Sequence, residues 1–242
     1  MSVGRLYGVG LGPGDPELLT VKAVRVIESA PVIAFFAKAG RRGNARAIAD
    51  RWIPASAQEM PLLYPVTTEI PVSDPAYNEA LRNFYEEATE SLAAELAAGR
   101  DVAILSEGDP LFYGSFMHLY IRLKDRFPVT IIPGVPGMAG CWAAAGEAMT
   151  WGDDVMTILP GTLPQQALTE SLRRTDAAVI MKVGKNFAKI RQALRDSGHY
   201  ERAIYVERGA MAGEKIMKLS DKPDDSAPYF AIVLVSGQGR RP

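Results

Sequence analysis

The chain has 242 residues, 48% of them hydrophobic, with 27 Lys and Arg against 28 Asp and Glu and a formal net charge of −1. These proportions describe a globular domain or a pair of domains and exclude a chain-wide basic field for nucleic acid. One cysteine, Cys141, excludes an intrachain disulfide and a cysteine-rich metal site, and two histidines, His118 and His199, argue against a histidine-rich site or a histidine-dependent triad. No metal is expected. No apolar run approaches the ~20 residues of a membrane span, and the N-terminus lacks the pattern of a signal peptide. The expectation is a cytoplasmic protein with neither a membrane nor a nucleic-acid partner.

In chain order, residues 3–9 read as a short strand, and residues 16–29 as a helix with Asp15 at its N-cap and Pro16 in its first position. Residues 31–36 form a buried-strand pattern and 44–52 a short helix. Five prolines between positions 54 and 75 (54, 61, 65, 71 and 75) make that stretch largely extended or loop. Residues 77–98 have the pattern of a long amphipathic helix ended by Gly99. A strand (101–105), a loop (106–115), a helix (116–125), an extended segment (129–132), a turn (133–137) and a small-residue helix (138–145) follow. The second half repeats the alternation, with strands at 155–159, 177–181 and 203–206 and helices at 165–174 and 187–197. It closes with strands at 214–219 and 229–235 around the polar stretch KPDDSAP, a hairpin-like pair. Strand–helix alternation with a β-rich end indicates α/β with mixed sheets. A boundary between two domains fits near residues 114–127, giving domains 1–118 and 119–242.

Three glycine-rich loops carry the chemistry. GVGLGPGDPELLT (8–20) follows the first strand with four glycines at alternate positions, which lets the backbone approach a ligand closely. It fails the dinucleotide fingerprint, because the third glycine position falls on Pro13 or Asp15, and no P-loop pattern exists. SEGDPLFYGS (106–115) follows another strand and repeats the tripeptide Gly-Asp-Pro, with Glu107 and Asp109 as acceptors suited to ribose hydroxyls or an ammonium group. Asp109 could equally cap a turn. PGVPGMAGCWAAAG (133–146) is a turn with free backbone amides followed by small residues, among which Cys141 reads as a core residue. Ligands of open α/β sheets bind beyond the carboxyl ends of the strands, so the first two loops could line one crevice. Phe112, Tyr113 and Phe116 are equally plausible as ligand-facing or as core, His118 reads as a surface or half-buried residue, and Trp142 and Trp151 as core.

Together these loops resemble the tetrapyrrole methylase family, S-adenosylmethionine-dependent enzymes that methylate corrin-pathway intermediates. MKVGKN (181–186), VERG (206–209) and APYFAIVLV (227–235) match later family segments, so the resemblance runs over nearly the whole chain in the family order. DDVMTILPGTL (153–163), MKVGKN and the FYGS ending are similar to the branch that methylates a ring-bridging carbon of an early reduced tetrapyrrole. The resemblance implies the two-domain α/β fold of class III methyltransferases, a cleft between the domains for S-adenosyl-L-methionine, S-adenosyl-L-homocysteine as product, a tetrapyrrole substrate and a homodimer. It further implies cofactor contacts at Pro13, Glu107, Gly108, Asp109, Pro136, Gly137, Lys182, Gly209, Ala210, Tyr229 and Phe230. At Glu107 the chain departs from many relatives, which carry a glycine there. The cofactor brings an activated methyl group, so the protein need only bind, align and exclude water. Glu107, Asp109 and Tyr113 are the candidates to assist loss of the proton from the methylated carbon. A polycarboxylate substrate calls for local positive charge, and Lys38, Arg41, Arg42 and Arg46 cluster after the second strand; the same four would also suit a solvated loop and helix start. Relatives of this fold that act on ribosomal RNA would need a more basic chain. A non-catalytic nucleotide-binding module is the rival of a different class.

Overall fold

The computed structural model describes residues 2–66 and 74–239; Pro71, one of the five prolines above, lies outside the described residues. The chain divides into two compact units, Met1–Pro136 and Gly137–Pro242. The division falls later than the 118/119 boundary expected from the sequence. The strand at 129–132 hydrogen-bonds to the first strand of the chain, and the helix before it packs on the same sheet, so both belong to the first unit.

The first unit contains β1 (Leu6–Gly10), α1 (Val21–Ser29), β2 (Val32–Lys38), α2 (Asn44–Ile48), β3 (Gln58–Tyr64), α3 (Pro75–Ala97), β4 (Val102–Ser106), α4 (Phe116–Leu123) and β5 (Val129–Ile132). Its sheet runs β3-β2-β4-β1-β5 with every pairing parallel. Parallel strands need both faces covered, and the sequence supplies unbroken apolar runs such as Val102–Leu105, all buried. One face packs Leu6, Val32, Val102 and Ile104 against Leu92 and Leu96 of α3 and Phe116 and Leu119 of α4. The other packs Val9, Ile33, Ala103 and Leu105 against Ala23 and Ile27 of α1 and Ala45 and Ile48 of α2. Pro61 is accommodated because β3 is an edge strand. Asp74 caps α3 by accepting from the Ala76 amide at 2.9 Å, and Gly99, at φ +80°, follows its end. The helix expected over 16–29 is shorter. Asp15 caps only a 3-10 turn, Pro16–Leu18, and α1 starts afresh at Val21, where the Thr20 hydroxyl accepts from the Ala23 amide.

The second unit contains α5 (Gly137–Ala145), β6 (Met156–Pro160), α6 (Gln165–Arg173), β7 (Ala177–Met181), α7 (Phe187–Asp196), β8 (Ala203–Glu207), β9 (Lys215–Lys218) and β10 (Ala231–Val235). Its sheet, β6-β7-β10-β8-β9, is mixed: β6 and β7 are parallel, and the remaining pairings are antiparallel. The hairpin expected from residues 214–235 does not form. β9 and β10 each pair with β8, on opposite sides of it. Burial explains the outcome: AIVLV of β10 is buried along its whole length and takes the centre, whereas KIMK of β9 stays at the solvent edge. α6 and α7 cover one face through Leu168, Leu172, Phe187 and Ile190, and α5 covers the other around Cys141. Among the described residues no helix is long and apolar enough to cross a membrane, and no cluster of His, Cys, Asp and Glu could hold a metal ion.

Gly8 is required by packing. A Cβ there would lie 2.4 Å from the ring of Phe116, which is fully buried. Gly8→Ala should therefore lower stability by about 1–3 kcal/mol through overpacking, read as a fall in urea midpoint at constant slope. Adding Phe116→Leu should recover part of the loss.

Candidate active site

Because all strands of the first sheet are parallel, the loops that follow β1, β2, β4 and β5 emerge at one edge. That edge gathers Pro13, Lys38, Arg41, Arg42, Arg46, Glu107, Gly108, Asp109, Tyr113 and Pro136. The three glycine-rich loops are bound to one another there. Gly12 and Gly108 form an isolated antiparallel bridge, the Gly108 amide donating to the Gly12 carbonyl at 2.8 Å and the Gly12 amide donating back at 3.3 Å. The Asp109 carboxylate accepts from the Gly134 amide at 3.1 Å and from the Leu111 amide at 2.9 Å. A Cβ on Gly134 would sit 2.1 Å from the Gly108 carbonyl oxygen and 2.9 Å from Gly10, and one on Gly10 would sit 2.5 Å from the Gly134 amide. Backbone thus packs on backbone, and side chains would pry the loops apart.

The three candidate acid–base residues part company. Asp109 both caps its own turn and ties the second loop to the third. Glu107 lies near Asn44 and Ala45 at the start of α2, and desolvation raises its carboxyl pKa above the usual range. Its side chain is nonetheless exposed to solvent. Tyr113 is 45% exposed and takes a left-handed backbone, φ 53°, uncommon for a bulky residue. Its ring meets Phe112 edge-on at 4.8 Å.

The basic cluster also divides. Lys38 ends β2, and Arg41 closes a turn on it by donating its amide to the Lys38 carbonyl at 2.9 Å; both side chains are exposed. Arg42 pairs with Asp50 at 2.5 Å. Arg46 is buried, with Glu59 on two guanidinium nitrogens at 2.8 and 2.6 Å and Asp50 on the third at 2.8 Å. These bonds hold the Glu59 and Asp50 carboxyls below their usual range. Arg46 is therefore spent inside the protein and offers no charge to a ligand, a correction to its expected role.

In the second unit, register places Lys182 after β7, Gly209 and Ala210 after β8, and Tyr229 and Phe230 before β10, all at one end of the sheet. The Arg208 amide donates to the Phe230 carbonyl at 2.8 Å, joining two of these segments. Lys182, Arg208 and Ala210 have φ of 56°, 52° and 59°, and backbone strain of this kind concentrates at functional sites. The Glu214 carboxylate holds the Ala210 amide at 2.7 Å. A Cβ on Gly209 would lie 2.7 Å from the Cys141 sulfur, and burial pushes the Cys141 thiol pKa up to about 11, so Cys141 packs and does not react. Gly137, by contrast, faces open space. Phe116 belongs to the core, and His118 stacks on Tyr85 at 4.4 Å.

The parallel sheet with glycine loops at its carboxyl edge, and the mixed sheet with strained turns at one end, define an α/β protein with close backbone packing at one sheet edge. Uroporphyrin-III C-methyltransferase from Thermus thermophilus, solved in complex with S-adenyl homocysteine, has the same fold: TM-score 0.67, 24% identity, covering 96% of this chain and 97% of that one. The chain belongs to the Tetrapyrrole (Corrin/Porphyrin) Methylases, whose family profile matches residues 5–222. It is similar to a precorrin-2 C(20)-methyltransferase of Sinorhizobium sp., 56% identical over 242 residues, all of this chain and 99% of the relative. It also resembles the cobalt-precorrin-2 C(20)-methyltransferase of Salmonella typhimurium, 29% identical over 240 residues and 97% of each chain.

Asp109→Ala leaves two backbone amides without their acceptor. It should cost about 1.5–3 kcal/mol, measured by denaturant unfolding, and speed hydrogen exchange at the Gly134 amide.

Proposed function

We propose that this protein transfers the methyl group of S-adenosyl-L-methionine to C-20 of precorrin-2, giving precorrin-3A and S-adenosyl-L-homocysteine in cobalamin biosynthesis. The observation that carries this reading is identity of 56% with a precorrin-2 C(20)-methyltransferase, sustained over the whole chain. It is an S-adenosylmethionine-dependent C-methyltransferase, and the proposal extends to a homodimer located in the cytoplasm.

The residues present suit the cofactor. It carries positive charge on sulfur and on its amino group, and the loop 106–115 contains two carboxylates and no Lys or Arg. The Ser106 hydroxyl, at the end of β4, is buried without a hydrogen-bond partner, and the open face of Gly137 permits close approach. Pro13, Gly108, Asp109, Pro136, Gly137, Lys182, Gly209, Ala210, Tyr229 and Phe230 are the proposed contacts. The cofactor supplies an activated methyl group; the chain's part is orientation and exclusion of water. The meso carbon C-20 is the nucleophile: its new bond to the methyl carbon forms as the sulfur–methyl bond breaks, and its proton then leaves. Asp109 accepts from two backbone amides, and desolvation raises the Glu107 carboxyl pKa. Tyr113 is the residue assigned to pass that proton towards solvent. Lys38 and Arg41, with Arg42 in support, are assigned to the substrate carboxylates.

Purified protein with labelled S-adenosylmethionine should yield a methylated tetrapyrrole from precorrin-2, and more slowly, if at all, from the cobalt-loaded form. No label in either tetrapyrrole would overturn the reading. Lys38→Glu with Arg41→Glu should weaken tetrapyrrole binding at least roughly tenfold while cofactor affinity stays within about twofold. Tyr113→Phe should lower kcat about 10–100-fold with little change in KM, the range of a lost proton-transfer group; an unaltered kcat would remove Tyr113 from the proton path.

A further inference from the structure

We infer that Glu214 is a positioning residue for the cofactor: from the far end of the connection 208–214 it reaches back and fixes the backbone around Ala210, one of the proposed cofactor contacts. This deepens the proposed function and rests on it for the identity of the ligand, S-adenosyl-L-methionine. The connection joins β8 to β9, whose register pairs Glu207 with Lys215 at its base, and a salt bridge from Lys215 Nζ to Glu207 Oε2 at 3.2 Å closes that base. β9 is the edge strand of its sheet, so the connection is shaped largely by its own contacts. Two side chains cross it in opposite directions. The Glu214 carboxylate accepts from the Ala210 amide at 2.7 Å, and Arg208 Nε donates to the Ala212 carbonyl at 3.1 Å. The Met211 amide donates to the Arg208 carbonyl at 2.9 Å, and the Arg208 amide ties the whole to the segment before β10 through the Phe230 carbonyl at 2.8 Å.

The amide that Glu214 holds belongs to a residue whose conformation needs support. Ala210 lies at φ 59°, in the left-handed region where a Cβ crowds the following carbonyl oxygen. Without an acceptor for its N–H, Ala210 would gain by returning to an ordinary conformation, and the peptide planes on both sides of it would swing. Gly209 has no room to absorb that movement, because a Cβ there would lie 2.7 Å from the Cys141 sulfur. A carboxylate is a charge-assisted acceptor, stronger than a neutral one. Holding the turn in advance removes an ordering cost that cofactor binding would otherwise carry. Glu214 therefore acts on the cofactor through Ala210. The sequence pattern reads residue 214 as the start of a strand and does not mark it as part of a site.

Calorimetric titration of the full chain with S-adenosyl-L-homocysteine tests this. Glu214→Ala should raise the Kd roughly tenfold, whereas Glu214→Gln, which keeps an acceptor in place, should stay within about threefold of the wild type. In the methylation assay Glu214→Ala should raise the KM for S-adenosylmethionine by a similar factor, with kcat at saturating cofactor and tetrapyrrole KM within about twofold. The loss should shrink to about threefold in an Ala210→Gly background, because glycine takes left-handed backbone without a side-chain penalty. Hydrogen exchange of the protein alone supplies a second reading: in Glu214→Ala the Ala210 amide should exchange at least about tenfold faster while the amides of β10 are unchanged. A Kd in Glu214→Gln as weak as in Glu214→Ala would overturn the inference in favour of plain charge attraction to the cofactor, and equal losses in both backgrounds would overturn the action through Ala210. A wild-type Kd in Glu214→Ala would overturn it outright, and leaves the proposed function standing if the tetrapyrrole is still methylated. If the Kd values change as stated but the wild type methylates no tetrapyrrole, the role of Glu214 stands and the substrate reading falls.

Discussion

The constraint on which the site depends is backbone packed on backbone at the carboxyl edge of the first sheet. The Gly108 carbonyl lies where a side chain on Gly134 would have to go, Gly10 faces the Gly134 amide, and Gly12 and Gly108 exchange hydrogen bonds. Asp109 closes the arrangement by holding the Gly134 amide. Three loops, one of them far from the other two in sequence, become one surface because they contribute almost no side-chain volume where they meet. The strands beneath are buried on both faces, so the loops rest on a platform with little freedom to adjust. A loop cluster of this kind can present fixed N–H and C=O groups to a ligand, which is what a reaction needs when its reagent arrives already activated.

Charge is distributed with the same economy. The chain is nearly neutral as a whole, yet the loop after β4 is purely acidic and the segment after β2 is basic. Arg46 would appear to strengthen that basic segment, but its charge is cancelled by Glu59 and Asp50, and its contribution is to hold α2 in place. The charge offered outward comes from Lys38 and Arg41, with Arg42 shared with Asp50. Separating a structural cation from presented ones lets a basic surface stand beside an acidic loop without the two simply collapsing onto each other.

The second unit reaches a comparable result by different means. Its sheet is mixed, and three non-glycine residues near one end take left-handed backbone, with Ala210 held by Glu214 and Arg208 by Phe230. Such conformations cost free energy, and the fully buried AIVLV strand, flanked by covered neighbours, is the part of the fold able to sustain them. Cys141, under Gly209, acts as packing for one of these turns.

Much of this was legible in the sequence. The order of strands and helices, the α/β class, the glycine loops, the long α3 ended by Gly99 and the buried reading of Cys141 all follow from local patterns: periodicity, capping residues and the conformational freedom of glycine. Local patterns misjudged the start of α1, because Thr20 caps as well as Asp15, and the end of the chain, where two good strands do not pair with each other. They also could not separate Arg46 from Arg41 or Arg42. What the sequence by itself determined is which segments are strand, helix or close-approach loop, since those depend on neighbours within a few residues. What only the tertiary structure decided is who meets whom: β8 between β9 and β10, Asp109 on Gly134 and Arg46 on Glu59. Those pairings are set by competition for burial and for hydrogen-bond partners across the whole chain, and a linear pattern does not record that competition.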